Sequence, residues 1–187
     1  MKNIFLFLVI LTLFQYPKEN PSGAKENKAL LKILSGTGDI EIRNLYYSLD
    51  SIKCGMEIGF EQFPVIYQVD SLINNLSEYS DFGSFVGSHR FNGYSSLLIC
   101  RNYGDWFKTI ETLNYDECGQ MVGYYFNAAI GADEDYYYNA TGRYLTDSTF
   151  LLAAITKDIV ECDSSYIHYH IHKDGHVEKL STSKYPC

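Results

Sequence analysis

The sequence lacks the short signatures that mark most small enzymes. It holds no G-x-S-x-G elbow, no H-E-x-x-H pair, no phosphate-cradling glycine loop and no dinucleotide fingerprint. Ser88 and His89 are neighbours in the chain, which is not how a serine nucleophile meets its base. No C-x-x-C occurs, so thioredoxin-like redox chemistry and a zinc ribbon have no carrier. Positive charge is short as well: 15 lysines and arginines stand against 23 aspartates and glutamates, a net charge of -8. A nucleic-acid binder carries a basic face, so no nucleic-acid partner is expected. Alanine-rich helical runs are missing. The apolar run from Ile4 to Phe14 is 11 residues, against the ~20 that a membrane-spanning helix needs. Carboxylates are plentiful enough for a paired-acid glycosidase, but nothing singles out two of them. The expectation is a protein without catalytic activity.

What is present is aromatic. Aromatics make up 16% of the chain, with 17 tyrosines, beside 46% hydrophobic and 20% charged residues. That is the composition of a β-rich chain with one core, neither disordered nor membrane-embedded. The first residues read as an export signal. Lys2 precedes the apolar run, Pro17 and Pro21 break any helix, and Ser22-Gly23-Ala24 offers small residues for cleavage before Lys25. The expected organisation is a signal peptide over 1–24 and a single β-rich domain over 25–187, with no membrane span in the mature chain. The compartment is extracytoplasmic, periplasmic or secreted. Removing Lys2, Lys18 and Glu19 leaves 13 basic and 22 acidic residues, a net of -9, which steers the domain towards basic partners.

Five cysteines remain: Cys54, Cys100, Cys118, Cys162 and Cys187. In an oxidising compartment they predict two disulfides and one odd thiol, with Cys118 and Cys187 the candidates for the odd one. Five choices of odd cysteine and three pairings of the rest leave 15 arrangements open.

The chain then reads as strands. Lys25 to Leu34 is amphipathic and predicts a helical turn or two, ended by Gly36-Thr37-Gly38-Asp39. Strand patterns follow at Ile40–Ile42, Leu45–Leu49, Met56–Phe60, Val65–Val69 and Phe82–Phe91. Leu72 to Tyr79 reads as a loop. Ser95–Ile99 and Ser148–Leu152 are buried-strand runs, and Trp106–Tyr115 turns at Asp116-Glu117-Cys118-Gly119 and returns to Phe126. Tyr166 to His172 alternates, turns at Lys173-Asp174-Gly175 and returns through His176 to Leu180, a strong hairpin signal. A buried strand followed by a hairpin thus occurs twice, with 23 residues from Ser96 to Gly119 and 26 from Thr149 to Gly175. The predicted fold is all-β, an antiparallel meander forming a barrel, sandwich or incomplete propeller.

Gly93-Tyr94-Ser95, Tyr115-Asp116-Glu117-Cys118-Gly119 and Lys173-Asp174-Gly175, spread over roughly residues 85–180, carry a resemblance. The pattern resembles small, mostly uncharacterised exported β-meander proteins of the Bacteroidota type. The resemblance implies the compartment and the β architecture, and supplies no catalytic residues.

Two constellations stand out. His168, His170 and His172 share one strand face, with Ile167, Tyr169 and Ile171 on the other. If Lys173-Asp174-Gly175 makes a three-residue loop, His172 sits opposite His176 and His170 opposite Glu178, a candidate zinc or copper site at His168, His170, His172 and His176; a two-residue Asp174-Gly175 turn would change the register and break the set. The second is Asp133, Glu134 and Asp135 beside Tyr136, Tyr137 and Tyr138. This acidic tyrosine loop is the candidate partner surface, through electrostatic steering and aromatic anchoring. Trp106 and the Tyr46-Tyr47 and Tyr124-Tyr125 pairs are candidates to stack on sugar rings. The leading expectation is an exported, non-catalytic protein that binds another macromolecule, as an inhibitor or immunity protein for a basic hydrolase or toxin. Metal binding and carbohydrate binding are the alternatives.

Overall fold

The computed structural model describes residues 27–68, 82–104, 106–133 and 135–187, with the side chains of Asn44, Phe60 and Phe82 excepted. The export-signal reading of 1–24 and the loop reading of Leu72–Tyr79 lie outside the described residues.

The amphipathic stretch forms helix α1, Lys28–Gly36. Asn27 caps it: its Oδ1 accepts from the Leu30 N–H at 3.2 Å, satisfying one of the free donors of the first turn. Eight strands then run in chain order through one antiparallel sheet: β2 (Phe82–Arg90), β3 (Tyr94–Tyr103), β4 (Phe107–Asp116), β5 (Met121–Asp133), β6 (Tyr136–Thr146), β7 (Thr149–Asp158), β8 (Cys162–Ile171) and β9 (Val177–Pro186). A ninth, β1 (Tyr46–Tyr47), pairs with β6. The all-β meander is as expected. In chain order β3 precedes the β4–β5 hairpin and β7 precedes the β8–β9 hairpin, as in any sequential meander.

The sheet stays open. Strands β5 and β6 pair from Ala129↔Ala140 to Asp133↔Tyr136 and then part. Beyond the split, β1 takes the place of β5, with Tyr46↔Arg143 and Tyr47↔Gly142. The edge of β2 meets short bridges from Asp39 and Glu57, whereas β9 pairs only with β8 among the described residues.

The N-terminal segment departs from the strand pattern. Residues 56–67, expected as two strands, are mostly helical: a 3-10 turn at Phe60–Gln62 leads into helix α2, Phe63–Tyr67. Pro64 sits in the first turn of α2, where a missing N–H leaves no bond unmade and a fixed φ suits the helix. The Gln62 side chain accepts from the Gly59 N–H at 2.8 Å and closes the entry. Residues 40–49, also expected as strands, give a 3-10 turn at Ile42–Asn44 and the two-residue β1.

Alternation on β3 and β4 divides the core in two. Leu98, Cys100 and Ile110 point to the side where Phe150, Leu152, Ala154 and Ile171 of β7 and β8 pack, joined by Tyr47 and Tyr125. Leu97, Ile99, Leu113 and Tyr115 point the other way, under Leu30 of α1 and Ile66 and Tyr67 of α2. Strand β4 is therefore buried on both faces, apart from its ends. Its run of fully enclosed side chains supplies much of the burial that stabilises the fold, at about 25 cal/mol per Å² of apolar surface.

Two disulfides hold the periphery. Cys54–Cys100 ties the loop after β1 to β3, and Cys162–Cys187 ties the end of β9 to the start of β8. Cys118 is the odd thiol and is exposed in the β4–β5 turn. Two such pairs fit an oxidising, extracellular-type environment. No helix among the described residues is long and apolar enough to cross a membrane.

Candidate functional site

In a meander, alternate turns fall at the same end of the sheet. The β3–β4, β5–β6 and β7–β8 turns therefore share one end. Register fixes their order: Asp133 pairs with Tyr136 and Tyr136 pairs with Asp158, so the acidic tip of β5–β6 lies one strand from the β7–β8 turn. On the β3–β4 side, the Ala132 N–H donates to the Trp106 carbonyl at 3.0 Å.

The sequence-predicted loop is split by this geometry. Asp133 and Asp135 are exposed, as is Tyr137 at 38%. Tyr136 and Tyr138 lie on the opposite side of β6 and turn inward. The Tyr138 ring packs against Phe107 at 6.0 Å, and burial pushes its phenol up. Tyr136 is half-buried. Burial raises its phenol, with Asp158 adding to the rise and a hydrogen bond from Thr156 opposing it. Glu134 lies outside the described residues. One tyrosine of the three is thus presented to solvent on this strand.

The β7–β8 turn was not singled out in the sequence. Asp158 Oδ1 accepts from the backbone N–H groups of Val160 and Glu161 at 2.8 and 2.7 Å. Those two bonds hold its carboxyl below the usual range and fix the turn. The turn leaves Ile159 and Val160 76% and 86% exposed, flanked by Asp158 and Glu161. Trp106 is 45% exposed at the same end. The available sequence signal was an adjacent apolar pair inside a turn between two strands, where polar residues are the rule.

The histidine strand has the predicted register. The His172 N–H donates to the His176 carbonyl at 2.8 Å, and His170 pairs with Glu178. Ile171 is buried, while Ile167 and Tyr169 pack partly against the core. The imidazoles nevertheless go to separate partners. His172 Nε2 lies 3.2 Å from Glu178 Oε2, His176 Nδ1 lies 3.4 Å from Asp174 Oδ2, and His170 and His172 meet edge to face at 4.6 Å. A bulge in β9 between Lys179 and Ser181 shifts the register opposite His168. Among the described residues no three histidine, cysteine or carboxylate side chains are grouped to hold a metal ion.

A fully buried carboxyl group was not foreseen. Glu111, fully buried on β4, accepts from Tyr67 Oη at 2.6 Å, Tyr103 Oη at 2.8 Å and Thr109 Oγ1 at 2.6 Å. The Arg101 guanidinium lies 3.9 Å from Glu111 Oε2 and over the rings of Tyr67 and Tyr103, at 4.7 and 4.4 Å. Burial acts to lower the Arg101 pKa, but Tyr67 and Glu111 reverse it and hold the group above its ordinary value. Burial pushes the Tyr67 phenol well up. The arrangement satisfies a carboxylate in the interior and joins α2 to the sheet. It is sealed from solvent, which suits a structural brace.

No protein-family model, curated protein or solved structure matches the chain. The all-β meander and its surfaces therefore carry the functional reading.

Proposed function

We propose that the protein is an exported, non-catalytic binding protein that docks a basic protein partner on the turn-bearing end of the sheet. An inhibitor of a basic hydrolase, or an immunity protein for a basic toxin, fits this description. The observation that carries the reading is the exposure of Ile159 and Val160, at 76% and 86%, between carboxylates. Exposed aliphatic pairs in a turn do not help the fold. They share this end of the sheet with exposed Trp106 and Tyr137 and with the carboxylates of Asp133, Asp135 and Glu161, the make-up of an apolar anchor with a charged border. The net charge of -8 would speed encounter with a cationic partner. The two disulfides support an extracytoplasmic, periplasmic or secreted setting.

The test is capture on immobilised protein from envelope and culture extracts at low ionic strength. A basic protein released by moderate salt, and bound at least tenfold more weakly by I159S/V160S, is the expected result. Undiminished binding by the double variant would remove this surface.

A further inference from the structure

We propose a second, small-molecule site: the cavity under the Cys54–Cys100 disulfide binds an uncharged mono- or disaccharide. The cavity measures about 450 Å³. Small-molecule sites occupy about 300–1,000 Å³ and combine apolar walls with a few convergent polar groups.

Its floor is one row of cross-strand neighbours. Asn102 of β3 pairs with Lys108 of β4, Lys108 with Ile130 of β5, and Ile130 with Asn139 of β6. Paired residues of an antiparallel sheet project to the same face, so these four side chains stand together. Thr141 extends the row along β6, and the loop carrying Leu49 and Asp50 forms the wall. The disulfide fixes that loop to β3.

The state of the polar side chains points to a ligand. Among the described residues, those of Asp50, Asn102, Lys108, Asn139 and Thr141 make no hydrogen bond or ion pair with the protein. Elsewhere on the sheet buried polar side chains pair with one another, Ser96 with Asn114 and Thr112 with Asn127. Two amides and a hydroxyl that both donate and accept, one carboxylate and one ammonium form a set without net charge. Such a set matches the alternating donors and acceptors of vicinal hydroxyls. Leu49 and Ile130 offer apolar contact for the C–H face of a sugar ring. A free α-amino acid would engage Asp50 and Lys108 but leave the amides and Thr141 unused.

The experiment is a nuclear magnetic resonance titration of the full chain with two panels: uncharged mono- and disaccharides, and free α-amino acids. Saturable shifts of the Asn102 and Asn139 side-chain amides with at least one sugar are the expected result. Asn139→Ala and Lys108→Met should each weaken that sugar at least fivefold, in proteins whose remaining spectrum is unchanged. Three outcomes overturn the proposal: no saturable shift with any sugar, response to amino acids alone, or shifts centred on Trp106 with Asn102 and Asn139 silent. The last would move sugar binding to the turn-bearing end, where I159S/V160S reports independently.

Discussion

Tyr67 Oη donates to Glu111 Oε2 at 2.6 Å across 44 positions of sequence, and so joins a helix of five residues to the most buried strand of the sheet. A helix this short has little stability of its own. Its place depends on this bond, on the bond from Tyr115 Oη to the Ile66 carbonyl at 2.6 Å, and on the apolar contacts of Ile66 and Tyr67.

The first prediction concerns that brace. Tyr67→Phe keeps the ring and removes one of the donors to Glu111, so it should destabilise the protein by about 1–3 kcal/mol. Arg101→Met removes the buried cation and should cost more, about 3–5 kcal/mol, because a buried carboxylate loses its counter-charge. Urea unfolding followed by tryptophan fluorescence measures both. Equal, negligible effects would show that the cluster does not brace α2.

The second concerns alkali. Burial pushes the Tyr125 phenol up to about 12, and raises Tyr47, Tyr67, Tyr103, Tyr124 and Tyr144 as well. A phenol whose pKa is higher in the folded state favours folding fully below the unfolded value, near 10. That contribution falls as pH climbs from about 10 through the folded value. The buried phenols should therefore ionise above the unfolded value and together with loss of the fold, followed by phenolate absorbance. A single step near pH 10 with the fold intact would contradict the burial.

The third concerns the C-terminal staple. Cys162 and Cys187 are 25 positions apart, and a loop of that size constrains the unfolded chain by about 3–4 kcal/mol. Every residue of β9 after Val177 is exposed, so little packing compensates for its loss. Replacing both cysteines with serine should lower unfolding free energy by that order and speed hydrogen exchange in β9 before β4. Uniform exchange across the sheet would argue that β9 is held by other means.

How much of this was legible depended on where the period of a segment was clean. Tyr166–His172 alternates strictly and ends in Lys173-Asp174-Gly175, so the hairpin could be read, while the choice between a two- and a three-residue loop, and with it the register, was fixed only by the pairing of His172 with His176; Gly175 takes φ +86° there, which few other residues tolerate. Met56–Val69 is apolar without strong alternation, and Pro64 fits either a strand boundary or a helix start. Contact with β3 and β4 decided for the helix. The acidic loop was visible as composition, but which of Tyr136, Tyr137 and Tyr138 faces solvent depends on packing against Phe107. Glu111 and the polar row from Asn102 to Asn139 had no local signature. Their members lie on different strands and meet only through the register of the sheet.

The split between β5 and β6 has a kinetic corollary. Tyr47 sits in the main core only by pairing with Gly142, 95 positions later. As the chain emerges from its N-terminus, β1 has no seat until β6 and β7 exist, and closing so wide a loop is slow. The hairpins of the meander can form early and locally, whereas the segment that seals the gap must wait for nearly the whole polypeptide. Assembly should therefore finish with the N-terminal strand, and a chain halted before residue 142 would leave Tyr47 without the strand it pairs with and the core it enters.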